Sequence, residues 1–206
     1  MMPPTTPDLP ADLAHLSPTV SERQLSDLHA RFARDAQQRG LLDVAYRTLD
    51  SAVGPLLLAA TERGVVRVAF ASEGFDGVLS DLADRVSARV LAAPSRLDAT
   101  ASQLEEYFAG RRRRFDVPLD LSLATGFRRR VLEQLPMIDY GRTASYAEVA
   151  RAAGSERAMR AVGSACATNP VPLLVPCHRV VRSDGALGGY RGGLPAKKAL
   201  LALERT

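Results

Sequence analysis

The apolar pattern of this 206-residue chain changes near Leu119, and the change limits the folds that the chain can adopt. Before that point, short apolar runs alternate with turn-forming residues. The runs lie at 44–49, 55–60 and 65–70, with turns at 51–54 and 62–64. Runs of this length and spacing predict a β-meander. Helical patterns at 78–91 and 100–108 and a short strand at 115–117 complete a predicted small α/β domain over residues 44–120.

Beyond residue 120 the pattern is mostly helical. Helices are expected at 126–135, 145–153 and 155–168, the last ended by Asn169-Pro170. Ser145 and Glu148 form a capping box, and Ser155 is the expected cap of the third helix. Gly154 makes the turn between the two capped helices. Two short helices joined by a glycine turn fit a helix-turn-helix, so residues 121–206 are predicted to form a second, mostly helical domain.

The first 43 residues precede both predicted domains. Residues 1–20 are rich in proline and threonine and are expected to be disordered. A helix is predicted from Ser21 to Arg39, with Ser21 and Gln24 as a capping box and Gly40 as the stop. Its apolar face carries Leu25, Leu28, Phe32 and Ala36. We expect this amphipathic helix to lie on the domain that follows.

Composition excludes several classes of protein. The chain has no run of about 18 apolar residues, so no membrane span is predicted. The amino terminus lacks the pattern of a secretory signal. Only Cys166 and Cys177 are present and the three histidines are scattered, so we expect neither a metal site nor a cofactor. Two cysteines without a secretory signal predict free thiols in a reducing cytoplasm.

The charge is unevenly distributed along the chain. Residues 1–120 carry a net charge of −3, whereas residues 121–206 carry +7, which together give the +4 of the whole molecule. A one-sided positive field is typical of nucleic-acid binding, although a solvated basic surface has the same composition. The four-arginine run at 111–114 is interpreted as a solvated loop without a site.

Cys177 stands in the sequence Val-Pro-Cys-His-Arg-Val-Val. Pro176 favours an ordered turn rather than a helix interior. His178 and Arg179 place one base and one permanent cation beside the thiol, and nearby positive charge favours the reactive thiolate. The pattern predicts a nucleophile; the alternative is a buried cysteine that fills space, which is our interpretation of Cys166.

The predicted third helix has an unusual surface. Most of its side chains are small, at Ala158, Ala161, Gly163, Ser164, Ala165 and Ala167. Small residues permit close approach to a partner, either another packed helix or a ligand. Gly163 costs about 1 kcal/mol relative to alanine inside a helix, so it needs a reason. Arg160 projects among these residues, and arginine suits phosphates, base edges and stacking.

The stretch from Gly141 to Glu204 resembles the O6-alkylguanine-DNA alkyltransferases, or methylated-DNA–protein-cysteine methyltransferases. The matching segments, in order, are Gly-Arg-Thr-Ala-Ser-Tyr146, Arg160-Ala-Val-Gly163, Asn169-Pro-Val-Pro172, Pro176-Cys-His-Arg179, Gly188-Gly-Tyr-Arg-Gly-Gly193 and Lys197…Leu200-Leu-Ala-Leu-Glu204. A weaker resemblance reaches back to about Val44. Taken together, the two parts of the resemblance imply an α+β fold, with a ribonuclease-H-like domain before a winged helix-turn-helix-type domain.

The resemblance implies direct-reversal DNA repair. The alkyl group on guanine O6, and that on thymine O4, moves irreversibly to the sulfur of Cys177, so each molecule acts once as a suicide enzyme. His178 is the implied base, acting through a water, and Glu204 orients it. The hydroxyl of Tyr146 is implied to contact guanine N3 and to stabilise the leaving base.

The resemblance also implies the walls of the base pocket. Pro172 and Tyr190 border it, the N–H of Arg191 points toward O6, and the carbonyls of Cys177 and Val180 accept from the exocyclic amine. Asn169 organises the preceding turn, and Lys197 lies near the site. Arg191 stands where some members have a smaller residue.

The implied partner is double-stranded DNA that carries O6-alkylguanine, bound by a monomer. A buried cysteine cannot reach a stacked base, so the nucleotide must be flipped out. The helix with Ala158, Ala161 and Gly163 is implied to enter the minor groove, with Arg160 filling the space left by the base. Two rivals remain: a lesion-binding protein without chemistry, which would lack Cys177, and a cysteine hydrolase, which would not need Arg160.

Overall fold

The structure is a computed structural model that describes residues 21–205. The prediction of disorder for residues 1–20 lies outside that range. The helices are α1 (Glu22–Gln38), α2 (Phe75–Arg85), α3 (Asp98–Phe108), α4 (Gly126–Gln134), α5 (Tyr146–Ala152), α6 (Met159–Ala167) and α7 (Gly193–Leu203). The strands are β1 (Val44–Leu49), β2 (Leu56–Thr61), β3 (Gly64–Phe70), β4 (Val90–Ala92), β5 (Ala144–Ser145) and β6 (Val180–Val181).

The predicted meander is present and is extended by a fourth strand. The sheet order is β3-β2-β1-β4, with β1, β2 and β3 antiparallel and β4 parallel to β1. Strand β4 was not predicted: the helix expected over 78–91 begins at Phe75 and ends at Arg85, and its last residues form the edge strand. Three residues are too few to show a strand period, so sequence alone attached them to the helix.

Strand β2 explains why the sheet is buried on both faces. Leu56 and Leu58 point into the main core, whereas Leu57 and Ala59 point to a second cluster with Val66 and with Val78 of α2. Successive strand side chains face opposite sides, so a continuous apolar run indicates a strand covered on both faces. Helix α2 therefore covers one face, and α3 with the second domain covers the other.

The segment predicted as a strand at 115–117 is a loop. The side chain of Gln103 donates to the carbonyl of Asp116 at 3.1 Å and accepts from its N–H at 2.7 Å. These bonds satisfy the backbone that a sheet partner would otherwise satisfy. The chain instead joins the sheet at Pro118, two residues after Asp116. The N–H of Val65 donates to the carbonyl of Pro118, and the N–H of Asp120 donates to the carbonyl of Val65. A Cβ on Gly64 would collide with Pro118, so this approach requires glycine.

Helix α1 has the predicted capping box, but it packs less than expected. Ala36 is buried, together with Ala33, against the end of the sheet, whereas Leu25, Leu28 and Phe32 are 45%, 57% and 59% exposed. The described contact between the helix and the domain is made by its last turns, near β4. The predicted apolar face is therefore mostly uncovered.

The second domain consists of α4 to α7 and the two-stranded parallel sheet of β5 and β6. Its capping box at Ser145 and Glu148 is present, and Gly154 makes the turn with a φ of 79°. The N-cap of α6 is Ala158, three residues later than predicted, since Ser155 caps no helix and instead starts a turn closed by Ala158. The protein is thus a mixed α+β molecule with a small sheet domain followed by a helical one. No helix in residues 21–205 is long and apolar enough to cross a membrane.

Candidate active site

Cys177 begins a short 3₁₀ turn that runs into β6, and it is 2% exposed. The amide nitrogen of Asn169 donates to its sulfur at 3.1 Å and to the carbonyl of Val175 at 2.9 Å. The oxygen of the same amide accepts from the N–H of Val171 at 3.1 Å. Asn169 therefore holds the turn before the cysteine and also supplies a donor to the sulfur.

Burial raises the pKa of the Cys177 thiol from 9.0 to about 11, against the opposing effects of the Asn169 hydrogen bond and of Lys197. At neutral pH the resting sulfur is therefore protonated. This corrects the expectation that the adjacent cations hold a thiolate, because His178 and Arg179 direct their side chains to Glu204 instead. The thiol has to lose its proton during the reaction, which needs a base.

His178 and Glu204 supply that base and its orienting carboxylate. Both side chains are buried, and Nε2 of His178 lies 2.8 Å from Oε1 of Glu204. Burial lowers the pKa of His178, with Glu204 opposing the change, so the imidazole is neutral at neutral pH. Because an ionised carboxylate only accepts, Nε2 carries the proton and Nδ1 keeps a lone pair. Nδ1 is buried and has no hydrogen-bond partner among the described residues.

Glu204 is held ionised by several donors. Arg179 donates from Nε to Oε2 at 2.8 Å and from Nη2 to Oε1 at 2.9 Å, and the hydroxyl of Tyr107 donates to Oε1 at 2.7 Å. The N–H of Gly141 also reaches Oε2, at 3.3 Å. Although burial raises the pKa of Glu204, the bonds from His178, Arg179 and Tyr107 bring it down to about 2.

Two of the side chains that donate to Glu204, those of Arg179 and Tyr107, were not among the predicted site residues. Arg179 was visible in the sequence as part of the Pro-Cys-His-Arg motif, where it was interpreted only as a cation beside the thiol. No sequence pattern indicated that Tyr107 belongs to the site, since it comes from α3, 97 residues from Glu204 in the chain. The first domain thus contributes directly to the environment of the carboxylate.

The predicted pocket residues surround the same place. Lys197 is fully buried and donates to the carbonyl of Val180 at 2.7 Å, which leaves that oxygen a second lone pair. The hydroxyl of Tyr190 is buried without a partner among the described residues. Pro172 is buried in the turn that precedes the cysteine and bridges to Val175. Tyr146 packs against Gly188, where a Cβ would collide with its hydroxyl.

A cavity of about 490 Å³ lies at the surface of α6; Tyr146 lines it, whereas Cys177, Pro172 and Tyr190 do not. Its lining includes Tyr146, Arg160, Gly163, Arg182 and Gly188. Arg160 and Ala161 are exposed, and Ala158 and Gly163 are partly exposed, whereas Cys166 is buried, as its interpretation as a packing residue predicts. Ala161 and Gly163 therefore lie on the solvent side of α6 around Arg160, whereas Ala165 and Cys166 pack in the core.

The four-arginine run is an exposed loop, as predicted, and three of its side chains make contacts. Arg112 pairs with Glu106 at 2.7 Å, Arg114 pairs with Asp139 at 3.0 Å, and Arg113 lies over the ring of Tyr140. These contacts tie the loop between the domains to both of them. Among residues 21–205, no group of three His, Cys, Asp or Glu side chains is placed to hold a metal ion.

Two family descriptions match most of the chain. Residues 44–121 match the ribonuclease-like domain of the 6-O-methylguanine DNA methyltransferases, and residues 126–206 match the DNA-binding domain of the same proteins.

Named relatives agree with this match. The methylated-DNA–protein-cysteine methyltransferase of Mycobacterium bovis is 39% identical over 163 residues, which cover 79% of this chain and 93% of the relative. The constitutive enzyme of Bacillus subtilis is 38% identical over 161 residues, covering 78% and 94%. A crystal structure of the Mycobacterium tuberculosis O6-methylguanine methyltransferase has 40% identity and a TM-score of 0.69, covering 79% and 93%. The structure of the M. tuberculosis protein in complex with DNA has 40% identity and a TM-score of 0.67, covering 78% and 92%. This chain therefore belongs to the methylated-DNA–protein-cysteine methyltransferase family.

Proposed function

We propose that this protein repairs DNA by moving the alkyl group of O6-alkylguanine, and of O4-alkylthymine, to the sulfur of Cys177 in a single irreversible step. The observation that carries the proposal is the enclosed thiol of Cys177, which accepts from Asn169 and is followed in the chain by His178, the partner of Glu204. Family membership and the DNA complex of the M. tuberculosis relative support alkyl repair as the activity.

The thiol proton, the alkyl group and the electron pair of the broken bond each have a destination in the proposed reaction. Nδ1 of His178 takes the thiol proton through a water, and the ionised Glu204 stabilises the imidazolium. The sulfur attacks the alkyl carbon, the bond from that carbon to O6 breaks, and its electron pair goes to the guanine. The N–H of Arg191 near O6 and the hydroxyl of Tyr146 near N3 stabilise the charge on the leaving base. The imidazolium then gives its proton back through water to the leaving base, so His178 is neutral again and the thioether remains on the protein.

Pro172 and Tyr190 would form the walls of the base pocket, and the carbonyls of Cys177 and Val180 would accept from the exocyclic amine. Lys197 supports this part of the pocket through its bond to Val180. Asn169 keeps the segment in register by bonding both the backbone and the sulfur. The proposed pocket is thus built from the chain segments that precede and follow Cys177.

Access to the base would come from α6. The exposed Ala161 and the partly exposed Ala158 and Gly163, at and after the start of α6, suit the narrow minor groove, and Arg160 would fill the gap left by a flipped nucleotide. The net charge of +7 on residues 121–206 supplies phosphate attraction without sequence preference. Residues 121–206 would thus bind DNA and carry the nucleophile, residues 44–120 would buttress the site, and residues 1–43 form an extension.

A single chain supplies every group of this site, so the protein is expected to act as a monomer. Cys166 and Cys177 are both free thiols, which suits the reducing cytoplasm. A lesion-binding protein without chemistry would not need the thiol, and a cysteine hydrolase would not need α6 and Arg160.

Intact-protein mass spectrometry tests the proposal. After incubation with a duplex that carries O6-methylguanine, the wild-type protein should gain one methylene mass, and peptide mapping should place it on Cys177. Cys166→Ala should gain the same mass, whereas Cys177→Ala should bind the duplex and gain none. Binding with no mass change in the wild type would favour the lesion-binding protein, and no binding at all would favour the hydrolase.

A further inference from the structure

The carboxylate of Glu73 joins the first domain to the loop that follows the pocket tyrosine. Its Oε2 accepts from Nη2 of Arg67 at 2.5 Å and from Nε of Arg191, and its Oε1 accepts from the N–H of Phe70 at 2.9 Å. The side chain of Glu73 is 12% exposed and that of Arg67 is 5% exposed. Solvent therefore screens this cluster less than an exposed ion pair.

The loop is also packed tightly against β3. A Cβ on Gly192 would lie 2.7 Å from the ring of Phe70, so only glycine permits this approach. The rings of Phe70 and Tyr190 meet edge to face, with centroids 5.6 Å apart. The position of residues 190–192 is thus set by the first domain.

The same cluster reaches the other side of the pocket. Nη1 of Arg67 donates to the carbonyl of Pro170 at 3.2 Å, and the N–H of Val68 donates to it at 2.8 Å. Pro170 follows Asn169, whose side chain donates to the sulfur of Cys177. Arg67 and Glu73 therefore connect both borders of the pocket to the end of β3.

We propose that Glu73 is a positioning residue that fixes residues 190–192 through Arg191 and thereby limits the size of the alkyl group that the protein accepts. The inference rests on the proposed function, in which Tyr190 and the N–H of Arg191 border the alkylated oxygen. A fixed N–H favours the small methyl group, because a displacement of about 1 Å can cost about a hundredfold in rate. A released loop gives a bulkier group more room, at the expense of that alignment.

Two variants test the proposal in different ways. Arg191→Met removes the ion pair with Glu73 but keeps the backbone N–H and the Arg67–Glu73 pair. Glu73→Gln removes the charge but leaves an oxygen that can accept from Phe70. Glu106→Gln is the matched control, since Glu106 pairs with Arg112 in the same domain at 2.7 Å. Alkyl transfer rates are measured by mass spectrometry on duplexes that carry O6-methylguanine or O6-benzylguanine.

Both variants should lose about tenfold in the rate of methyl transfer and much less in the rate of benzyl transfer, so the benzyl-to-methyl ratio rises at least about threefold. The double variant should lose no more than Glu73→Gln alone, because both changes remove one interaction. Glu106→Gln should keep the wild-type ratio.

An unchanged ratio in Arg191→Met would overturn the inference, as would losses that multiply in the double variant. If Glu73→Gln does not fold, Arg191→Met decides the question by itself. The wild-type protein is measured in the same series: if it takes up no alkyl group, the proposed function fails, whereas normal wild-type transfer with an unchanged ratio rejects only the role of Glu73.

Discussion

At the scale of single residues, the site keeps a thiol neutral and a carboxylate charged within the same buried segment. The pKa of Cys177 is raised to about 11 because the sulfur is enclosed, whereas that of Glu204 is held at about 2 because donors surround it. His178 lies between these extremes, neutral and oriented by Glu204. Its neutral form is what allows it to take a proton from the thiol.

Tyr107 gives the first test at this scale. In Tyr107→Phe the carboxylate loses a donor that lowers its pKa, so the pKa of Glu204 should rise and its stabilisation of a protonated His178 should increase. The acid limb of the pH profile of alkyl transfer should therefore move to higher pH. Loss of the bond to a buried charge should also cost about 1–3 kcal/mol of folding free energy.

Tyr46→Phe is the control for this prediction, since Tyr46 is a partly buried tyrosine of β1, outside the site. It should change neither the pH profile nor the rate. A Tyr107→Phe protein with lower stability and an unmoved acid limb would show that the hydroxyl has only a structural role.

The sequence predicted the site residues that stand in recognisable motifs, but it did not predict the contacts of Glu204 with Arg179 and Tyr107. Cys177, His178 and Asn169 share one short segment, so their types and spacing were informative. Tyr107 lies on the preceding domain, and its contact with Glu204 depends on tertiary packing that no local pattern encodes.

At the scale of elements, α6 places its arginine differently from the predicted helix. The helix begins at Met159, so Arg160 lies in its first turn, beside the cavity that contains Tyr146 and Gly188. Had the helix begun at Ser155, this residue would lie in its second turn. In the structure the side chain of Arg160 lines the cavity at the surface of α6.

Arg160→Ala should therefore slow the repair of a duplex by about tenfold or more, because the unstacked state of the base loses the side chain that replaces it. Reaction with the free base, O6-benzylguanine, needs no flipping and should change by less than about twofold. Single-turnover rates on both substrates give the comparison.

Arg85→Ala serves as the control, since Arg85 is an exposed arginine of α2 in the first domain. It should leave both rates near those of the wild type. Equal losses on the duplex and the free base in Arg160→Ala would contradict the role of Arg160 in flipping.

Element boundaries show where sequence reasoning was weakest. The capping boxes of α1 and α5 were found because they are local and specific. Strand β4 was missed because it has only three residues, and the strand expected at 115–117 failed because Gln103 satisfies that backbone instead. Short elements are decided by tertiary partners rather than by propensity.

At the scale of the whole molecule, the two domains share one core. The same cluster contains Leu56 and Leu58 of the sheet, Leu104 of α3, Val131 of α4 and Leu200 of α7. We therefore expect the domains to unfold together rather than as independent units.

The dependence of stability on pH tests the buried charges of the whole molecule. The folded pKa of His178 is lower than its unfolded value of 6.5, so its contribution is present above pH 6.5 and is lost as the pH falls below it. Glu204 adds a second loss between pH 4.5 and about 2. The folded pKa of Cys177 is raised, so its contribution is lost as the pH rises from 9.0 to about 11. Thermal unfolding should therefore occur at the highest temperature between about pH 6.5 and 9.

Cys177→Ala should reduce the slope on the alkaline side of this curve and leave the acid side unchanged. Thermal melts followed by circular dichroism in a series of buffers give both slopes. An alkaline slope that is the same in the wild type and in Cys177→Ala would mean that the thiol does not titrate as its burial predicts.

The enclosure of Cys177 has a consequence for how the molecule is spent. A protein that can react only once is wasted by any other electrophile that reaches its sulfur first. A small electrophile in solvent meets a neutral thiol that is 2% exposed, whereas an alkylated base held in the proposed base pocket would meet the sulfur together with its base and donors. Chemoselectivity then comes from access rather than from intrinsic nucleophilicity, and the supply of unreacted protein is set by the number of lesions and not by the general chemistry of the cell.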